Sequence, residues 1–569
     1  MIYGLLKKNM YQDSVNLMLL SSKLSKLKGI NKVSIMMGTP ANKDIFKNTN
    51  MYAEEFSEAG PNDICISVDT EDKTLVGMVS EELESFIKDL SAKSSSTNIP
   101  VSRSLDGAIN SLPGANIALV SIPGEYVYSE VDRILDKNIN AFVFSDNVSI
   151  EDEKKLKEKA HSKGLLVMGP DCGTGIISGV PLAFANVVGK GNIGIVGASG
   201  TGIQEVSSII ARLGKGVSHA IGIGGRDLSK EIGGVSALDA LDILERDEDT
   251  DVVVFISKPP AESVKNKVIE KFKSMNKKIV AIFLGEKPEK EEANIKYVWT
   301  LEDAARQAVL ISEFESQVSS ALKSVSEKVE TIKNNEKQRK IQGYFCGGTL
   351  AGEAAILIKE YLGKIENNKS DGFMLNYDGH QIIDFGDDMY TKGRPHPMID
   401  PTTRINAIES LITKEDVAVV LLDNVIGYGS NDDMAGSLID SIEKVINKKK
   451  EKRQEILFVA SVCGTEEDIQ VYSSQVEKLE EAGVIVLETN AQATSFVTRL
   501  IEKLKNEKQD VKDKKSTMLT EDLKVINIGL ESFSGAIKKH EGEVIQYNWA
   551  PVAGGDKKLQ NLLAKLNSF

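Results

Sequence analysis

Two stretches of this chain repeat one another, and that repeat constrains the fold more than any other feature. Residues 191–216, GNIGIVGASGTGIQEVSSIIARLGKG, align with 340–364, KIQGYFCGGTLAGEAAILIKEYLGK. Each reads as an apolar strand, a Gly-Thr turn and an amphipathic helix that ends near glycine. The order then recurs. SALDALDILERDEDTDVVVFIS corresponds to RINAIESLITKEDVAVVLLD, KIVAIFLG to ILFVASVCG, and YVWTLEDAARQAVLIS (297–312) to VIVLETNAQATSFVTRLIE (484–502). β-branched runs that alternate with helical patterns specify a parallel sheet covered by helices, because parallel strands need a crossover. The chain therefore carries two copies of one doubly wound α/β domain, at 190–313 and 341–505.

The same alternation precedes the first copy, in NIALVSI (116–122) and NAFVFS (140–145), and assigns 99–185 to a Rossmann-like domain. Residues 1–95 read as a smaller α+β unit, with a helix over 12–28 and strands near 32–37 and 63–68. Polar stretches separate these parts: SAKSSSTN (91–98), the glycine-free 314–340, read as an exposed helical linker, and EKLKNEKQDVKDKKS (502–516). Beyond the last, 517–569 reads as strand, helix and strand. Some fifty residues are too few for an independent core, so this β-α-β segment is expected to dock on another domain or a partner.

Charge narrows the function. The formal net charge is −14, a poor electrostatic match for nucleic acid or an anionic membrane. No apolar run reaches the ~18–20 residues that cross a bilayer, and MIYGLLKKNMYQD lacks the pattern of a signal peptide. Cys65, Cys172, Cys346 and Cys463 are far apart with no CxxC spacing, which excludes a local zinc knuckle and argues against a disulfide framework. A soluble, cytoplasmic protein is expected.

Each copy has a strand-to-helix turn suited to an anion. In the first, Ser199, Gly200, Thr201 and Gly202 open a helix whose first-turn N–H groups are free and whose dipole favours negative charge. Gly347, Gly348 and Thr349 repeat this in the second. Neither is a Walker A loop, since the Lys after the second Gly is missing. A tight turn with no ligand is the alternative reading. The densest polar segment is 384–404, DFGDDMYTKGRPHPMIDPTTR, where prolines around His396 stiffen the backbone. Arg394 and Arg404 suit a carboxylate or phosphate clamp, and His396 suits proton transfer or oxyanion donation. Asp387, Asp388 and Asp400 accompany them, and Arg226 of the first copy completes the set. The bland reading pairs Arg394 with Asp400 on the surface. His161, His219, His380 and His540 are assigned structural roles, and Cys346 and Cys463 read as packing residues.

These residues resemble the FdrA family, which is related to succinyl-CoA synthetase. The likeness spans nearly the whole chain through MMGTPANK (36–43), AGPND (59–63), GPDCGTG (169–175), GASGTG (197–202), IGIGGRDL (221–228), CGGTLAGEA (346–354), the 384–404 segment and WAPVAGGD (549–556). Residues 110–312 are similar to the synthetase α subunit and 341–502 to the C-terminal domain of its β subunit. The resemblance implies flavodoxin-like, synthetase-type domains for both copies and a CoA-binding-type domain for 99–185. It also implies one phosphate site faced by both turns. Three features depart from the synthetase. Its phosphorylated His falls at Gly285-Glu286-Lys287-Pro288-Glu289-Lys290, with no His. Its partner Glu falls at Ser257-Lys258-Pro259-Pro260. Its ATP-grasp domain and N-terminal glycine-rich CoA loop have no counterpart here.

FdrA-like proteins are associated with oxamate carbamoyltransferase, which converts oxalurate and phosphate to oxamate and carbamoyl phosphate in allantoin breakdown. The resemblance thus implies a subunit of a hetero-oligomeric carbamoyltransferase acting on a small anionic metabolite. No cofactor is required, phosphate or carbamoyl phosphate is the substrate, and Mg²⁺ is left open. The alternatives are an NDP-forming acyl-CoA synthetase of succinyl-CoA ligase type and a non-catalytic assembly subunit.

Overall fold

A computed structural model describes residues 1–551 except 9, 11, 13, 61–62, 95–98, 289–291, 293, 364–371 and 506–521. The chain divides into two compact units, 1–309 with 513–569, and 310–512. The first unit opens with β1 (Ile2–Lys7), β2 (Ile30–Met37) and β3 (Ile64–Thr70) in an antiparallel sheet of order β1-β3-β2. The central strand β3 alternates an apolar face, Ile64, Ile66 and Val68, with a face of Cys65, Ser67 and Asp69. Ile64, Ile66 and Val68 enter one cluster with Leu17, Leu20 and Val79, while Cys65 packs oppositely with Phe46 and Phe56.

Next come β4 (Val101–Ser102), β5 (Ile117–Val120), β6 (Asn140–Val143) and β7 (Val167–Met168), then β8 (Thr174–Ile177), β9 (Val180–Ala183), β10 (Ile193–Gly197), β11 (Val217–Gly222), β12 (Val252–Ser257), β13 (Lys278–Phe283) and β14 (Ile295–Tyr297). The second unit holds β15 (Lys340–Phe345), β16 (Phe373–Tyr377), β17 (His380–Asp384), β18 (Val417–Val425), β19 (Leu457–Cys463) and β20 (Ile485–Leu487). The last strands, β21 (Lys524–Ile528) and β22 (Glu543–Tyr547), return to the first unit.

The duplication is visible in the strand order. One sheet runs β14-β13-β12-β10-β11-β8-β9 and the other β16-β17-β15-β18-β19-β20. Counting only the parallel strands of each, both are 2-1-3-4-5, the flavodoxin-like order. Each also carries an antiparallel addition at the same edge: β8 pairs with β11, and β16 with β17. β10 and β12 are buried throughout because helices cover both faces, so they read as unbroken apolar runs. Both strand-to-helix turns follow strand 1, at the point where the crossovers diverge.

The remaining sheet has the order β4-β22-β21-β5-β6-β7, parallel throughout. Numbered by position this is the Rossmann order 3-2-1-4-5-6, but strands 1 and 2 come from the far end of the chain. The C-terminal segment is therefore not a separate piece docked on a finished domain. β21 and β22 stand between β5 and β4, which 99–185 alone leaves unconnected. Nor do residues 174–183 belong to that sheet: the β8–β9 hairpin covers the open edge of β11. The segment 314–340 is also less exposed than a linker. Its helical residues Val318, Leu322, Val329 and Ile332 lie in the core of the second unit.

Candidate functional site

The first turn is built by helix capping. Ser199 is the N-cap of the helix Gly200–Arg212, and its Oγ accepts the Gly202 N–H at 3.2 Å. Ala198 N–H and Gly197 C=O are used by the sheet, through Ile256 and Ile223. The N–H groups of Gly200 and Thr201 have no carbonyl within the helix to bond. Thr201 is exposed and Gly202 buried. A Cβ on Gly202 would stand 3.1 Å from Ile256, so glycine there lets the helix start tight against β12. The turn offers two backbone donors and a hydroxyl at the positive end of a thirteen-residue helix.

The second turn differs. The N–H groups of Cys346 and Gly347 donate to the Asp423 carboxylate at 2.9 and 2.8 Å. Asp423 is fully buried at the end of β18, and its Oδ1 lies 3.2 Å from Nη2 of Arg404, which is equally buried. Arg404 also donates to the Asp423 carbonyl at 2.5 Å. This corrects the substrate-clamp reading of Arg404: it is the counter-ion that lets a carboxylate lie beneath the turn. Asp384, at the end of β17, crowds the same helix, since a Cβ on Gly348 would meet its Oδ2 at 2.6 Å. Burial holds the Asp384 carboxyl above its usual range, as do Asp387 and Asp423, against the Gly386 N–H bond and His396. Two carboxylates thus flank the start of the helix Gly348–Leu362, and only Gly348 and exposed Thr349 keep the donor character expected there.

His396 faces this cluster. The Met398 N–H donates to its Nδ1 at 3.2 Å, so the neutral ring carries its proton on Nε2. A Cβ on Gly386 would lie 2.9 Å from His396 Nε2, 2.9 Å from the Cys346 carbonyl and 3.0 Å from Asp384 Oδ1. Gly386 therefore makes room for the imidazole against the turn. Arg394 is exposed, and its guanidinium has no partner among the described residues. It is not paired with Asp400, which accepts from Thr402 N–H and Oγ1 at 3.0 and 2.5 Å and is held below the usual carboxylate range by them. Asp387 caps the short helix Asp388–Thr391 through Met389 N–H, and Asp388 is exposed on its first turn. Arg226 is committed elsewhere: it donates to the Val148 carbonyl at 2.9 Å and lies 2.7 Å from buried Glu153.

Three of the other histidines serve the framework. His161 meets Asp239 at 2.8 Å at the surface. Buried His219 takes the Ser178 N–H on Nδ1 and faces Asp247 at 3.2 Å, which pins the β8–β9 hairpin. His380 accepts the Ile341 N–H, and burial with Lys340 and Lys505 nearby pushes its pKa down to about 4. Burial pushes the Cys346 thiol up to about 12, a packing rather than a nucleophilic state. Asp384 and Asp423 carried no assigned role in the sequence reading. The signal available was positional: each is a carboxylate at the carboxyl end of a parallel strand, where doubly wound folds place their sites.

Three family models match: one described as AllF, heavy metal-associated domain, over residues 1–100; a CoA binding domain over 189–285; and CoA-ligase over 344–500. The CoA binding match thus falls on the first doubly wound copy rather than on 99–185. An uncharacterized protein of Escherichia coli, YahF, is 38% identical over 494 residues, covering 84% of this chain and 95% of its own. A succinate–CoA ligase [ADP-forming] subunit alpha 1 of Archaeoglobus fulgidus is 26% identical over 192 residues, 33% of this chain and 64% of that subunit. The dinucleotide-forming acetyl-coenzyme A synthetase 1 of Ca. Korarchaeum cryptofilum, solved with phosphate and ADP, aligns over 71% of this chain and 87% of its own at 14% identity and a TM-score of 0.34. The first hundred residues do not fit a thiolate- or imidazole-ligated metal site. They hold one cysteine and no histidine, Cys65 is buried with its thiol pushed up to about 11, and no group of three or more His, Cys, Asp or Glu that could hold a metal ion exists among the described residues.

Proposed function

The chain belongs to the FdrA family of acyl-CoA synthetase-like proteins, and on that premise we propose that it is a subunit of a phosphate-dependent carbamoyltransferase of the oxamate carbamoyltransferase type. The reaction is attack of phosphate on the ureido carbonyl of oxalurate, which releases oxamate and carbamoyl phosphate. The observation that carries the reading is the Ser199–Gly202 turn. It offers two backbone N–H donors and a hydroxyl at a helix start, at the switch point of a doubly wound sheet and without the lysine of a Walker A loop. The match of residues 1–100 to a domain named for AllF supports it, as does the absence of His from 284–294, the stretch in which the synthetase carries its phosphate.

In the second unit, Asp384 is the group suited to protonating a departing amide nitrogen, with His396 a hydrogen-bond donor at the same turn. Burial keeps the Asp384 proton on to higher pH. Arg394, exposed and without a partner among the described residues, is a cation available to a substrate carboxylate or a partner subunit. Phosphate is substrate rather than cofactor, and the partners are the other chains of the complex. Among the described residues no helix is long and apolar enough to cross a membrane.

A second reading, an acyl-CoA synthetase of the ADP-forming kind, is favoured by the succinate–CoA ligase likeness. The two are separated by assaying carbamoyl phosphate from oxalurate and phosphate, with and without candidate partner chains. In parallel, the chain is incubated with labelled ATP, CoA and carboxylic acids. Product in the first assay and an unlabelled chain in the second support carbamoyl transfer.

A further inference from the structure

The permuted Rossmann-like sheet has its own crevice. A cavity of about 690 Å³ opens at the carboxyl ends of β5 and β6, and Leu530, just beyond β21, forms part of its wall. This is the switch point of the sheet. The helix Gly124–Asp136 packs with Ala118, Val120, Ile526 and Ile528 on one face, and the helix Glu531–Lys539 with Ile117, Leu119 and Val525 on the other. Open α/β sheets bind ligands at such points. The crevice borders the anion turn, since Gly173 lines the cavity and lies 3.7 Å from where a Cβ on Gly200 would stand.

Its chemistry does not fit coenzyme A. Glu125, Asp146 and Asp171 line it, with no Lys, Arg or His, and none of the three carboxylates has a partner among the described residues. A pyrophosphate at a Rossmann switch point rests on helix N-termini and basic groups. Here the first turns of both flanking helices already carry carboxylates of the protein, Glu125 and Glu531. The third helix start at the cavity is capped internally, with Asn42 N–H donating to Thr39 Oγ1. A polyanion would meet repulsion from Glu125, Asp146 and Asp171 with no lining cation to offset it.

The rim is also fixed. Asn147 and Asp171 both have left-handed backbones, at φ 55° and 56°. Gly124 packs so closely on the 146–147 backbone that a Cβ would lie 2.3 Å from the Asp146 carbonyl. Opposite stand Phe144 and Phe184, edge to face at 5.1 Å, with Leu530.

We propose that this crevice binds a small molecule with a planar N–H-donor group, ureido or guanidino, on an apolar or aromatic body. The carboxylates accept the N–H groups and the phenyl rings pack the body. The inference rests on the carbamoyl-transfer reading only in naming a ureide as one ligand; the cavity itself argues for the donor chemistry.

The test is ligand-observed NMR and calorimetry on the full chain with phenylurea, phenylguanidinium and coenzyme A. Both small probes are expected to bind, phenylguanidinium more tightly, without displacement by coenzyme A. Asp146→Asn with Asp171→Asn should weaken phenylguanidinium at least about tenfold, and Phe184→Ala should weaken both probes. Asp171→Glu, which keeps the charge, should retain more binding than Asp171→Asn. Binding of coenzyme A that displaces the probes overturns the proposal. So does failure of both probes, or binding that none of these substitutions changes. The two readings fail separately. Probe binding without carbamoyl phosphate formation removes the reaction and leaves the crevice, and turnover without probe binding removes the crevice alone.

Discussion

Asp423 and Arg404 form a fully buried ion pair at 3.2 Å, and the same carboxylate takes the N–H groups of Cys346 and Gly347 at the turn that opens the helix Gly348–Leu362. One interaction thus holds three elements: β18, the helix Thr402–Ser410, and the turn. Arg404→Met leaves Asp423 in the core without its counter-ion. Loss of one partner of a buried pair costs about 3–5 kcal/mol. The expected result is a large drop in the urea midpoint of the second unit, partly recovered by pairing Arg404→Met with Asp423→Asn. A midpoint equal to wild type would return Arg404 to the list of substrate ligands.

The two residues of the first turn should separate stability from binding. Ser199→Ala removes a helix cap and should cost about 1 kcal/mol of stability. Thr201 is exposed and caps nothing, so Thr201→Val should leave stability unchanged and weaken phosphate by about 1–2 kcal/mol if its hydroxyl donates to the anion. Thermal unfolding and calorimetric phosphate titration on the same preparations read both.

On the proposed reaction, His396 acts through an N–H at the turn. His396→Asn retains a donor and should keep more turnover in the assembled complex than His396→Ala, for which a loss of ~10²–10³ is expected. Arg394→Lys should remain impaired, because an ammonium lacks the planar fork. Gly386→Ala should behave like His396→Ala, since its methyl would occupy the space against Nε2. Normal turnover in all of these variants would make the loop structural.

His380 gives the second unit a pH dependence of known sign. Its folded pKa lies near 4, below the ordinary value of 6.5, so the fold binds it neutral. Its contribution is complete above pH ~6.5 and declines as pH falls toward 4, by up to about 1.4 kcal/mol per unit. His380→Gln, which cannot titrate, should flatten that part of the stability profile. An unchanged slope between pH 6.5 and 4.5 in denaturant titrations contradicts the assignment.

Much of the fold was legible because it is local and periodic. The β10–turn–helix and β15–turn–helix patterns repeat in the sequence, and the two sheets repeat in strand order. What was not legible is pairing at long range. Nothing in LKVINIGL reveals that Ile526 will pair beside Ala118, since a buried parallel strand looks the same wherever it inserts. For the same reason the sequence places the expected glycine turn of the Rossmann order near the N-terminus. Gly529, at φ 114° with a Cβ position 2.2 Å from the Ser121 carbonyl, stands there instead. In the site, charged residue types are dense in the sequence, but burial decides their roles. Arg394 and Arg404 are ten residues apart and alike in composition. One is in solvent and the other is sealed against Asp423.

The most direct test of the central claim is formation of carbamoyl phosphate from oxalurate and inorganic phosphate by the full-length chain with its partner chains, in the absence of ATP and coenzyme A. The account predicts stoichiometric oxamate and carbamoyl phosphate, abolished by omitting this chain and reduced by Thr201→Val. Activity that appears only with ATP and coenzyme A, with label accumulating on the chain, would contradict it.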